Sequence, residues 1–155
     1  MSSQPFPLGS DPETGIFFDA VVPGFELDKA EKITRWLVKI IEQEGTSLRL
    51  LNFIFCSDQY LHQINVQYLQ HDTLTDIITF PYASPPFIEG DIFISIDRVR
   101  YNAKKYAVPF EHELNRVMAH GLLHLCGYND KTPEEQALMR QKEDEALALF
   151  ESFHP

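Results

Sequence analysis

The chain is predicted to fold as a single α+β domain, a mixed four-stranded β-sheet flanked by about five helices. Three observations carry this. The 155 residues suit one domain, and a hydrophobic share of 44% is enough for a full core. Apolar residues switch repeatedly between helical spacing and short β-rich runs. The resulting strands and helices interleave, but not strictly, as a mixed sheet requires. Repeats, linkers and low-complexity segments are absent, so the domain is taken as residues 1–155, with 1–12, rich in Ser, Pro and Gly, expected to be loose.

In chain order, Gly15 to Val22 reads as a strand and Pro23-Gly24 as a turn. From Asp28 to about Gln43, Ile33, Trp36, Leu37, Ile40 and Ile41 recur at helical spacing. Asp28 is the expected N-cap, with Glu31 three residues on as in a capping box, and Gly45 ends the helix. Leu48 to Cys56 is a strand, after which Ser57 caps a helix with Leu61, Ile64 and Tyr68 on one face. Asp76 to Phe80 is a short strand stopped by Pro81, and Tyr82 to Glu89, with Pro85-Pro86, is a loop. Gly90 to Ile96 is a strand leading to a helix capped at Asp97. Pro109 opens a helix that runs to about Cys126 and stops at Gly127. The last helix follows Thr132-Pro133 and carries Leu138, Met139, Ala146, Leu149 and Phe150.

The formal charge of −10 argues against broad, non-specific nucleic-acid binding, including DNA. It leaves room for a local basic groove. Two clusters, Arg98/Arg100/Lys104/Lys105 and Lys29/Lys32/Arg35/Lys39, are read first as solvated helix faces. Cys56 and Cys126 lie in apolar stretches and are expected to be free thiols. No secretory signal pattern and no apolar run of membrane-spanning length are found, which points to a cytoplasmic protein with no membrane partner.

The chemistry concentrates near the C-terminal third. His120 and His124 sit four apart, which on a helix stacks two imidazoles on one face. Gly127 ends that helix, and Asp130 follows six residues after His124. Two nitrogens and a returning carboxylate form a three-ligand set with a fourth position open for water, the catalytic arrangement for zinc. The alternative is a pair of hydrogen-bonded histidines on a half-buried face. Glu113, Arg116, His120 and His124 share one stripe. Glu113 is the candidate for orienting a ligand imidazole or moving a proton, and Arg116 for binding phosphate. The pattern is not His-Glu-x-x-His, because Gly121 stands where that class of peptidase keeps its general base. Gly121 instead lets another element, or a substrate, approach the backbone. His112 is read as a surface residue; His62, His71 and His154 are given no role. Asp91 is either a structural turn residue or a strand-end acid near the site.

With these residues in view, the chain resembles the YbeY family of bacterial endoribonucleases over roughly Leu50 to Leu149. The anchors are Thr75-Asp76-Ile77-Ile78-Thr79-Phe80-Pro81, Gly90-Asp91-Ile92-Phe93-Ile94-Ser95, and His112-Glu113-Leu114 through Asp130. The family pattern His-Gly-x-Leu-His-Leu-x-Gly-Tyr-Asp-His is followed from His120 through Tyr128. The resemblance implies a zinc-hydrolase-like fold, one zinc ion per chain and a single-strand-specific cut in RNA. It further implies action on an rRNA precursor of the small ribosomal subunit, in rRNA maturation and ribosome quality control. Two departures stand out. Asp130 occupies the position of the family's third histidine ligand; carboxylate oxygen is harder than imidazole, so other divalent ions are tolerated. Asn65-Val66-Gln67-Tyr68 is followed by Leu69, where the family tends to carry a phosphate-facing arginine; Arg116, Arg98 or Arg100 is the expected substitute. Two other readings stay open: a non-catalytic ribosome assembly factor with a structural metal, and a metallohydrolase of a small molecule or peptide.

Overall fold

The computed structural model describes residues 15–69 and 75–153. The elements run β1 (Ile16–Ala20), α1 (Ala30–Gln43), β2 (Ser47–Cys56), α2 (Asp58–Leu69), β3 (Ile77–Pro81), β4 (Phe87–Ser95), α3 (Ile96–Lys105), α4 (Phe110–Leu125) and α5 (Pro133–Ser152). The expectations for residues 1–12, His71 and His154 fall outside the described residues.

The sheet order is β1-β2-β4-β3. β1 and β4 run parallel to β2, while β3 pairs antiparallel with β4 and forms one edge. The mixed α+β sheet expected from sequence is therefore the sheet observed. Strand alternation assigns its two faces. Ile16, Phe18, Leu51, Phe53, Phe55, Ile92 and Ile94 join one core with residues of α1, α3, α4 and α5. On the opposite face, Ile78, Phe80 and Phe93 pack with Leu61 and Ile64 of α2. Near the middle of that second face the sheet turns polar: Asp91 accepts from Asn52 Nδ2 at 2.9 Å and from the Tyr82 hydroxyl at 2.8 Å. Asp91 thus has a structural place within β4.

Trp36 is fully buried and joins α1 to α5, donating from Nε1 to the Ala146 carbonyl at 2.7 Å and meeting Phe150 edge-on at 5.1 Å. Two glycines set the sheet–helix distance that the site needs. A Cβ at Gly121 would lie 2.9 Å from Ile77 Cδ1 and 3.0 Å from two Ile92 atoms, so α4 lies directly on β3 and β4. What approaches Gly121 is an element of the fold. At Gly90 a Cβ would sit 2.7 Å from the Phe80 carbonyl oxygen, so only glycine permits the β3–β4 pairing there.

Three local expectations shift. α1 begins at Ala30 with Lys29 in the left-handed region (φ 58°) and no side-chain cap. Its Glu31 pairs forward with Arg35 at 2.8 Å and does not reach back to Asp28. α3 is capped by Ser95, whose Oγ accepts from the Arg98 amide. Asp97 instead accepts from the Asp58 amide at 2.9 Å, the first of α2, which Ser57 caps as expected by accepting from the Tyr60 amide at 3.1 Å. β4 starts at Phe87, inside the stretch expected to be loop, because Phe87 to Glu89 complete the parallel pairing with Ser47 to Leu50. Thr132 caps α5 and Pro133 opens it, and Glu135 closes a capping box with Thr132.

Candidate metal centre

α4 carries both imidazoles on one face near its C-terminal end, with ring centroids 4.6 Å apart and planes 80° from each other. Gly127, at φ 109°, then reverses the chain. Its amide donates to the His124 carbonyl at 3.0 Å and the Tyr128 amide to the Leu123 carbonyl at 3.1 Å, a Schellman stop. That turn returns Asp130 to the helix face. Asp130 Oδ2 lies 3.2 Å from His120 Nε2 and 3.4 Å from His124 Nε2.

The donor set fits a small divalent ion. The ligand atoms of His120, His124 and Asp130 all lie within 4.8 Å of one another. Zinc–ligand bonds of about 2.0–2.1 Å in a tetrahedron place neighbouring ligand atoms about 3.3–3.4 Å apart. The two nitrogen–oxygen separations match that edge length. Three protein donors would leave a fourth position for water.

The carboxylate behind His120 comes from α5. Glu143 Oε2 lies 2.6 Å from His120 Nδ1, and its Oε1 accepts from Arg116 at 3.0 Å. Arg116 also donates to Asp144 at 2.8 Å. Burial pulls the His120 pKa down, but the hydrogen bond and charge of Glu143, with Asp130 and Asp76, outweigh it and leave the pKa raised. For Arg116 too, burial alone would lower the pKa, yet Asp144 and Glu143 raise it overall.

The three ligands open onto a cleft of about 640 Å³ whose walls include Asn65 and Leu69 of α2, Asp76, and the β3 edge from Ile77 to Pro81. Asp76 is buried enough for its pKa to be raised, despite the opposing pull of His120. A smaller pocket of about 210 Å³ lies behind, lined by Glu113, Arg116, Arg140, Glu143 and Tyr106, and shares Asp76 and His120 with the cleft. Burial first, and then the Asp76 charge, raises the Glu113 pKa.

The structure thus brings His120, His124 and Asp130 together and places Glu113 and Arg116 one layer behind them. Arg116, expected to bind phosphate, is instead held by two carboxylates with its side chain 13% exposed. Among the described residues no lysine or arginine lines the cleft. Arg98, a proposed substitute for the missing family cation, is paired with Asp58 at 2.9 Å, and Arg100 lies over the Phe110 ring. His112 is half-buried. Sequence reasoning missed Glu143 and Asp76 as site residues. Glu143 lies on a different helix, 23 residues from His120, and no spacing rule links the two. Asp76 was visible only as part of a motif.

Known proteins share this sequence and fold. The family described as Endoribonuclease YbeY matches residues 24–151. The endoribonuclease YbeY of Flavobacterium johnsoniae is 54% identical over 126 residues, covering 81% of this chain and 91% of that protein. That of Cytophaga hutchinsonii is 50% identical over 138 residues, covering 88% and 96%. A solution structure from Thermotoga maritima superposes with a TM-score of 0.64 at 25% identity, covering 87% of this chain and 88% of that one. Matched along most of its length, from α1 through the His120–Asp130 turn and into α5, this chain belongs to the YbeY endoribonuclease family.

Proposed function

We propose that the chain is a zinc-dependent, single-strand-specific endoribonuclease that acts in the cytoplasm on the small-subunit rRNA precursor, in 16S rRNA 3′-end maturation and ribosome quality control. Family membership makes it a hydrolase acting on RNA. The finer reading rests on one observation: three convergent donors, His120, His124 and Asp130, at the mouth of a cleft large enough for a nucleotide. His120, His124 and Asp130 would hold a divalent ion, which would lower the pKa of a bound water and polarise a phosphoryl oxygen.

The chain's own groups do the rest. His120 and His124 present their Nε2 atoms, and Asp130 completes the set with a carboxylate oxygen. Glu143 orients His120, the part that sequence reasoning had given to Glu113. Burial raises the pKa of Asp76 beside the cleft and of Glu113 behind it. The edge of β3 and the end of α2 shape the wall along which a single strand lies.

The test is His124→Ala, read by bound zinc and by cleavage of a 16S precursor with its 3′ extension. The expected result is loss of both. Unchanged zinc content in the variant overturns the ligand assignment. A second reading, an assembly factor whose metal is structural, is favoured by the absence of Lys and Arg from the described cleft lining. It wins if fully metal-loaded wild-type protein binds the small subunit and cuts nothing.

A further inference from the structure

We propose that Glu143 and Arg116 form a brace that sets the tautomer and ring orientation of His120, making α5 a working part of the metal centre. This rests on the reading of His120 as a metal ligand and gives Arg116 a positioning role in place of phosphate binding.

Glu143 is 5% exposed, yet it is a carboxylate. A buried carboxylate is costly unless its oxygens are hydrogen-bonded and its charge is compensated. Here each oxygen has its own partner: Oε2 faces His120 Nδ1 at 2.6 Å, and Oε1 takes Arg116 at 3.0 Å. The Arg116 fork is closed by Asp144 at 2.8 Å, one residue further along α5. The guanidinium is therefore committed on both sides and mostly buried.

The consequence falls on His120. An Nδ1–H donated to Glu143 leaves the Nε2 lone pair free on the side where Asp130 Oδ2 and His124 Nε2 converge. A carboxylate on the distal nitrogen also makes the ligand nitrogen a better donor. His124 meets a carboxylate only at Nε2, through Asp130, among the described residues. The two imidazoles are thus unequal: His120 is the fixed ligand, and His124 is placed by α4 alone. Because Glu143 and Asp144 both lie on α5, the brace exists only where that helix is docked onto α4.

The experiment uses the full chain and four variants: Glu143→Gln, Glu143→Ala, Arg116→Lys and Arg116→Met. Zinc affinity is read by competition with a chromophoric chelator, the His120 tautomer by long-range ¹H–¹⁵N spectra, and KM and kcat on a single-stranded RNA. Glu143→Ala should weaken zinc binding about 10–100-fold, the usual cost of losing such a partner. Glu143→Gln, whose amide oxygen still accepts from Nδ1–H, should recover part of that loss. It also carries the test if the alanine variant fails to fold. Arg116→Met should weaken zinc less than Glu143→Ala, and combining the two should add little. Arg116→Lys should leave KM for RNA unchanged. The brace is overturned if Glu143→Gln and Arg116→Lys both keep wild-type zinc affinity and an unaltered His120 spectrum. It is equally overturned if Arg116→Lys raises KM with zinc affinity untouched, which restores a phosphate role. Wild-type protein that binds no zinc at all defeats the underlying ligand reading instead.

Discussion

Glu113 shows how a single residue is read differently once its surroundings are known. Sequence spacing placed it on the imidazole stripe, and it lies there, but it lines the smaller pocket with Asp76, and the carboxylate that meets His120 is Glu143. Burial, with Asp76 next, raises its pKa above the ordinary 4.5. The folded chain therefore holds this proton more tightly than the unfolded one. The contribution to stability is complete below about pH 4.5 and is lost as pH rises through the higher folded-state value. Glu113→Gln keeps the shape and removes the charge. It should gain up to about 1 kcal/mol at pH 7 and nothing at pH 4, by urea unfolding of the metal-free protein. An equal effect at both pH values would contradict the buried-carboxyl account. Asp130 is the opposite case: its type and offset from His124 were legible, and the fold sets it at 3.2 and 3.4 Å from the two rings.

At the scale of elements, periodicity, apolar runs and cap residues located the helices and strands of the described residues, but partners decided caps and ends. Ser95 and Asp97 both suit a cap. Which helix each serves depends on where α2 and α3 start relative to one another across the sheet, and that is not encoded locally. The early start of β4 has the same origin, since Phe87 to Glu89 become strand by pairing with β2. The β3–β4 hairpin is the element most exposed to a single change. Gly90→Ala forces a Cβ to 2.7 Å from the Phe80 carbonyl oxygen, so backbone must move. The expected cost is about 1–3 kcal/mol, seen as a lower urea midpoint with an unchanged slope. Because β3 forms the cleft wall, zinc-loaded Gly90→Ala should also cut RNA more slowly than wild type under conditions where both are folded. A midpoint equal to wild type would refute the close-approach argument.

At the scale of the molecule, charge is the main constraint. The chain carries −10, and the described cleft lining contributes no lysine or arginine. Binding of a single strand should therefore release few counterions. With at most about two phosphates neutralised, log K against log salt should have a slope no steeper than about −1.4, from −0.7 per phosphate for single strands. Fluorescence anisotropy of a labelled RNA across a salt series measures it. A slope near −4 would mean that a basic surface such as the Arg100, Lys104 and Lys105 face of α3 engages the strand after all. None of the described helices is long and apolar enough to cross a membrane.

The sequence by itself determined the α+β class, the identity of the two imidazoles and the carboxylate, and the glycine that turns one toward the other. These are local facts: helical spacing stacks residues four apart, and a glycine at the helix stop admits the positive φ that brings position 130 back. Tertiary structure alone decided that Glu143 stands behind His120, that Arg116 is consumed by α5, and that the missing cation at Leu69 is not replaced within the described cleft lining. Each of these depends on the angle and distance at which two helices and a sheet edge meet. Side-chain packing across the whole core sets that geometry, and no short stretch of chain contains it.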